Sequence, residues 1–439
     1  MKHIPLSTIQ EKIISNIIIF LGIFLCSFYI LLTFKQLENT YYIAILVSTC
    51  CSICAWKLSY LRKEPLFYLT CLYFLYATVS VFWSDQPTIS ACVKIFRYSL
   101  CLMIFYICIH LTVQYNYNKI NKLLFLVIIV ASISALVSIL YFYLYQHHPI
   151  QNRLEGFFCS QNANMANLIY CPCLLLCIHS LLKYEKNRII YACSSIILLS
   201  YLLLTQNRAA IGIFFVLLFF FIMYSSYKNW KHCLLLLLGY IILLSIAIFT
   251  IYSWRYNSID REMNTIESQV QEQLLKNNEN LTEEELQLQL QQSHLSRVMP
   301  FRPMIWKNFW EKFLERPILG HGYNTNMNIT LNYFNYTRFA HHSHSMYLAN
   351  LYLGGIIGFL LIAISILLVL YKIYKMRHDI LIEKMALIFL FVITFLIIDG
   401  ESLLKRPREI WFGFWFPYFM IIILSHSPLL LSNTPKEEH

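Results

Sequence analysis

Leu123-Leu-Phe-Leu-Val-Ile-Ile-Val-Ala-Ser-Ile-Ser-Ala-Leu-Val-Ser-Ile-Leu-Tyr-Phe-Tyr-Leu-Tyr145 contains no charged residue. At about 1.5 Å per residue, such a run crosses a hydrocarbon core of about 30 Å. Backbone polar groups find no water there, so the run must satisfy them internally as a helix. Comparable stretches give twelve expected spans: 13–34, 41–60, 65–83, 95–113, 121–145, 163–182, 189–206, 209–227, 232–253, 346–371, 382–400 and 409–427. The whole composition agrees. The 439 residues are 58% hydrophobic and only 13% charged, against roughly 25% charged in soluble proteins. This excludes a soluble globular enzyme, a disordered chain and a coiled coil. A membrane β-barrel would need short alternating segments instead of unbroken apolar runs. The expected fold is an all-α polytopic membrane protein of about 12 transmembrane helices with one large loop.

Charge orients the spans, because Lys and Arg near span ends favour the cytoplasm. With the N-terminus inside, 17 of the 34 Lys and Arg fall on the inner side and 8 on short outer connections. Both termini are therefore expected in the cytoplasm. Residues 1–253 would carry helices 1–9, 254–345 the large outer loop, and 346–439 helices 10–12 and the tail. The first span is too long for a cleaved signal peptide and no small-residue cleavage site follows it.

Within the loop, Ile259, Met263, Ile266, Val270 and Leu274 recur at helical spacing. Thr282-Glu-Glu-Glu285 reads as a capping box opening a second helix. A third is expected from Pro303 to Arg316, with Trp306, Phe309, Trp310 and Phe313 giving it an aromatic face suited to the membrane interface. Of the fourteen cysteines, most sit inside spans as packing residues, the Cys51–Cys54 pair included. No disulfide is expected.

The topology gathers Arg153, Arg208, Arg297, Arg302, His341, His342, His344, Arg406 and Arg408 at one membrane face. Charges next to hydrocarbon are costly and mark function. Arg208 stands in Leu204-Thr-Gln-Asn-Arg208-Ala-Ala, joining two apolar runs with almost no loop. A guanidinium snorkelling to the interface is one reading. An anchored fork facing a phosphate is the other. Arg302 precedes the aromatic helix, with Arg297 as its fallback. Three histidines in four residues suggest a metal, but neighbouring side chains converge poorly on one ion. One histidine as a general base fits better, since neutral imidazole accepts a hydroxyl proton near pH 7. No carboxylate set is expected at this face, so no metal and no cofactor are expected.

These residues stand in stretches that resemble the bacterial O-antigen ligases, within the O-antigen ligase/polymerase superfamily. Trp83-Ser84-Asp85, Thr205-Gln-Asn-Arg208-Ala, and Arg302-Pro-Met-Ile-Trp306 followed by Arg316-Pro-Ile-Leu-Gly320-His-Gly322 carry the likeness. So does His342-Ser-His344-Ser-Met-Tyr-Leu348, followed by Gly354-Gly-Ile-Ile-Gly358. The span layout with a large loop before the tenth span matches as well. One departure is Ser345, where the family often has Asn after the second histidine.

The resemblance implies a metal-independent, inverting glycosyltransferase of the inner membrane, acting at its periplasmic face. The donor would be a glycan on undecaprenyl pyrophosphate, and the acceptor a hydroxyl of lipid A–core. Membrane lipids are the remaining partners, and no nucleic acid is expected. His344, Arg208 and Arg302 are the catalytic candidates. Arg153, His342, Arg406, Arg408 and Arg297 are the substrate-binding candidates. An O-antigen polymerase or an O-linked protein glycosyltransferase would use the same donor. A lipid-linked glycan transporter fits less well, because no internal repeat is visible and the polar set lies at the rim instead of mid-membrane.

Overall fold

The computed structural model describes residues 8–31, 35–36, 38–42, 64–150, 152–157, 162–183, 186–226, 239–242, 244–245, 301–333 and 336–425. The expected spans 41–60 and 232–253, the expected loop helices before Pro303, and Arg297 lie largely or wholly outside these residues. The chain is a polytopic helical membrane protein. Six helices are long and apolar enough to cross a bilayer, and four shorter apolar helices accompany them among the described residues.

In chain order the helices are α1 (Thr8–Ile30), α2 (Pro65–Val79), α3 (Ile89–Leu140), α4 (Ala163–Leu182), α5 (Arg188–Leu204), α6 (Arg208–Ser226), α7 (Phe301–Glu315), α8 (Met346–Lys375), α9 (Ile380–Ile398) and α10 (Phe416–Leu424). The helical run of α3 holds two span-length stretches, Ile89–Val113 and Lys119–Tyr145. Between α7 and α8 an antiparallel hairpin, β1 (Ile329–Tyr333) and β2 (Tyr336–Ala340), pairs Ile329 with Ala340 and Tyr333 with Tyr336. The periodicity reading had not foreseen it. The interfacial helix begins two residues earlier than expected and ends one earlier. Its buried stripe is Ile305, Phe309 and Phe313, while Trp310 and Leu314 face outward.

Among the six span-length helices α4 and α9 are the most enclosed, and every residue of α10 is buried. Leu72, Leu75, Val79 and Phe82, on α2 and the turn after it, and Ile356, Leu360, Ile364 and Leu367 on α8, form exposed apolar stripes at helical spacing. That is what a helix bordering lipid leaves uncovered. The chain between α9 and α10 is held down by two fully buried indoles in the π-turn Trp411–Trp415. Trp411 Nε1 donates to the Lys405 carbonyl at 3.2 Å, and Trp415 Nε1 to that of Leu403 at 3.1 Å. Trp411 also packs edge-on against Tyr41, at 4.6 Å between ring centroids.

Helix α8 is broken at Gly355, whose φ of 58° and ψ of −164° no helix contains. The break frees backbone groups, and the turn 317–322 satisfies them. His321 N–H donates to the Tyr352 carbonyl at 2.9 Å and Gly322 N–H to Leu353 at 2.7 Å, while Ile356 N–H donates to Pro317 at 2.8 Å. The backbones approach so closely that a Cβ on Gly320 would lie 2.3 Å from the Gly355 nitrogen. Tyr73, Tyr323 and Asn350 lock the turn to α2 and α8, with both phenols on Asn350 Oδ1 at 2.9 and 2.7 Å.

Candidate functional site

The apolar run of α9 ends at Ile398, two residues short of the expected span end at 400. Asp399 therefore leaves the helix as its cap, its N–H still bound to the Phe395 carbonyl at 2.9 Å. Gly400 follows where a Cβ would meet Leu396 at 2.9 Å and the Met346 nitrogen at 3.1 Å, so its lack of a side chain lets this end lie against the start of α8. Asp399 is 1% exposed, and its two carboxylate oxygens have different partners. Oδ1 lies 3.1 Å from His344 Nδ1 and Oδ2 lies 3.4 Å from Arg302 Nη2.

Two residues on, Glu401 repeats the arrangement. Its Oε1 is 3.5 Å from His342 Nε2. Its Oε2 takes Arg408 Nη1 at 3.4 Å and also Lys405. Burial acts to raise the Glu401 carboxyl, but Lys405 and Arg408 outweigh it and hold the group below its usual range. The expectation of a face without carboxylates is thus corrected. Among the described residues no group of three or more His, Cys, Asp or Glu is placed to hold a metal ion.

The two imidazoles are not equivalent. His344 adopts a left-handed backbone, φ 51°, uncommon for a residue with a Cβ. Its N–H donates to His342 Nδ1 at 3.2 Å. His342 Nδ1 is therefore an acceptor, and in the neutral ring Nε2 carries the proton and faces Glu401. Both of its nitrogens are committed inside the protein. Burial pushes the His342 imidazole down to about 4, with Glu401 opposing and His344 assisting. Among the described residues His344 engages only Nδ1, on Asp399, which in the neutral ring places the lone pair on Nε2. At the position of the family's Asn, Ser345 is buried and starts α8. The neighbouring Ser343 hydroxyl donates to the Ser345 carbonyl at 2.7 Å and accepts from its N–H at 3.3 Å. Asp399 orients His344.

A second group forms where α4, α5 and α6 meet. Arg208 is the exposed first residue of α6, and Asn207 before it accepts the Ala210 N–H at 3.1 Å. Arg153 Nε donates to the Thr205 carbonyl at 2.8 Å, and its Nη2 to Asn164 Oδ1. Asn207 Nδ2 donates to the same oxygen at 3.0 Å. Burial lowers the Arg153 guanidinium; Asp399 and Glu155 act to raise it and Arg302 to lower it. That coupling to Asp399 and Arg302 brings this group within electrostatic reach of the first.

Of the expected residues, Arg302, His342, His344 and Arg408 therefore share one cluster, and Arg153 and Arg208 share its neighbour. Arg406 is exposed on the 401–409 loop, and His341 turns to Asn328 at 3.0 Å. Asp399, Glu401, Asn164 and Asn207 carry no role in the sequence reading. For the carboxylates a signal existed: Asp399-Gly400-Glu401 at the end of an apolar run reads as a helix stop. For Asn164 and Asn207 nothing local distinguished them from other capping asparagines.

Two comparisons relate this sequence to known proteins. Residues 193–363 match the family described as O-Antigen ligase. That segment includes Arg208, Arg302, His342 and His344. A protein of Pseudomonas aeruginosa named "O-antigen ligase" is 33% identical over 124 residues, which is 28% of this chain and 30% of that protein.

Proposed function

We propose, from a chain whose residues 193–363 match the O-antigen ligase family, that it transfers a glycan from undecaprenyl pyrophosphate to a hydroxyl of lipid A–core. The observation that carries this is one imidazole, His344, fixed through Nδ1 on a buried carboxylate that also holds Arg302, with no partner on Nε2 among the described residues. In this reading the acceptor hydroxyl gives its proton to His344 Nε2 as its oxygen attacks the anomeric carbon. The bond from that carbon to the diphosphate oxygen breaks, and its electron pair leaves with the lipid diphosphate. Arg302 and Arg208 meet the charge developing there, which is where fixed cations lower a barrier most. A single displacement inverts the anomeric centre. Asp399 keeps Nδ1 protonated and stabilises the imidazolium that forms.

The accompanying topology has twelve spans in the inner membrane, both termini in the cytoplasm and residues 254–345 in the periplasm. The 17-to-8 division of Lys and Arg supports it. The test is transfer by purified protein from a lipid-linked glycan, offered lipid A–core, a second lipid-linked glycan or a pilin-like peptide. Transfer to lipid A–core is expected. Transfer to the second lipid-linked glycan alone would make the protein a polymerase, and to the peptide alone a protein glycosyltransferase. No transfer to any acceptor would overturn the reading.

A further inference from the structure

The site arginines are held in two different ways. Arg302 and Arg408 are paired with carboxylates, Asp399 and Glu401. Arg153 is gripped instead by two neutral oxygens, the Thr205 carbonyl and Asn164 Oδ1. A carboxylate at position 164 would hold the guanidinium more tightly, but it would also cancel its charge. An amide oxygen fixes the fork and leaves the charge for a ligand.

Asn164 is itself well anchored. It stands in the first turn of α4, where the N-cap Asn162 accepts its N–H at 2.9 Å. Its single Oδ1 takes Arg153 and, at 3.0 Å, the Asn207 amide. Asn207 in turn caps α6, the helix that Arg208 opens. One carbonyl oxygen thus ties together the loop bearing Arg153 and the turn bearing Arg208.

We propose that Asn164 is a positioning residue of the donor-diphosphate site, orienting Arg153 and the Arg208 turn through a neutral acceptor so that the Arg153 charge remains for the diphosphate. This rests on the donor reading given above. The shared chemistry it requires is an anion of two or more charges attached to a polyisoprenyl chain.

Asn164→Asp and Asn164→Ala separate this from a purely structural role, because they act oppositely on stability and affinity. The experiment uses the full chain in detergent, with farnesyl diphosphate as the probe and farnesol as the uncharged control. Asn164→Asp keeps the acceptor and adds an ion pair, so it should melt no lower than wild type. It should bind farnesyl diphosphate roughly ten-fold more weakly or worse, with farnesol binding unchanged. Asn164→Ala should melt lower and lose less affinity than Asn164→Asp. Arg153→Gln should weaken the diphosphate, and adding Asn164→Ala to it should cost less than Asn164→Ala costs the wild type, because the guanidinium it orients is gone.

Wild-type affinity in Asn164→Asp would overturn the inference, since a structural clamp would be satisfied by the carboxylate. Equal loss for farnesol and its diphosphate would overturn it too. If wild-type protein binds no diphosphate, the donor reading itself fails, and the inference with it. If wild type binds and the Asn164 variants match it, only the inference fails.

Discussion

His344 and His342 are two residues apart in one short loop, yet their hydrogen bonds assign them different work. Among the described residues His344 Nε2 has no partner, whereas both His342 nitrogens are occupied, one of them by the His344 backbone. His344→Ala should cut transfer by about 10²–10⁴-fold, the range of general-base catalysis, while donor binding persists. Asp399→Asn should fall in the same range, because an amide cannot stabilise the imidazolium. His342→Ala should cost less, releasing the left-handed backbone of His344 without removing the base. A dead His342→Ala beside an active His344→Ala would invert this assignment. His342 also carries a pH signature. Its folded value of about 4 lies below the ordinary 6.5, so between these values the unfolded chain binds the extra proton and the folded one does not. Stability should therefore decline as pH falls from about 6.5 toward 4. In His342→Gln that part of the decline should vanish from melting curves. The histidines were legible in the sequence because three in four residues at a span mouth is unusual. Their division of labour was not, since it depends on Asp399, which the reading of 382–400 as a span had placed inside the membrane.

At the scale of elements, apolar run length located the helices among the described residues well, because hydrocarbon thickness leaves little choice about where a span lies. It located their ends less well. The two-residue error at α9 hid a carboxylate, and the hairpin β1–β2 carries no run that periodicity detects. The break in α8 was equally invisible: Gly354-Gly355 inside an apolar stretch is tolerated in many membrane helices. Only the partner turn 317–322 shows why a glycine is needed there. Gly320 has φ of 69° as well as a backbone neighbour where its Cβ would be. Gly320→Ala should therefore cost at least about 2 kcal/mol, adding left-handed strain to a clash that neither backbone can relieve. A clearly lowered melting temperature with poor transfer is expected. Gly212 has nothing within 4 Å of its missing Cβ, so Gly212→Ala should leave both nearly unchanged. Wild-type melting of Gly320→Ala would mean that the turn does not dock as described.

For the molecule as a whole, the proposed orientation in the bilayer rests on the Lys and Arg count, and reporter fusions at Asn280 and at the C-terminus should give opposite signals. Matching signals would overturn the proposed topology. Transfer by the purified protein should survive EDTA, because the Asp399 and Glu401 oxygens already answer to Arg302, His344, Lys405, Arg408 and His342. Loss of activity restored by a single divalent ion would show that these carboxylates have another use. With the proposed lipid-diphosphate donor, the same pairings bear on turnover. A diphosphate arriving at Arg302 or Arg408 does not meet bare positive charge; it trades places with a carboxylate already there. The grip on the incoming lipid is then the difference between two pairings, and is moderate by construction. On the way out, the spent lipid diphosphate carries more negative charge than the donor did, and unopposed arginines would retain it. In that proposed reaction Asp399 and Glu401 would reclaim their partners, and the site would act as an ion exchanger that regenerates itself with each product released.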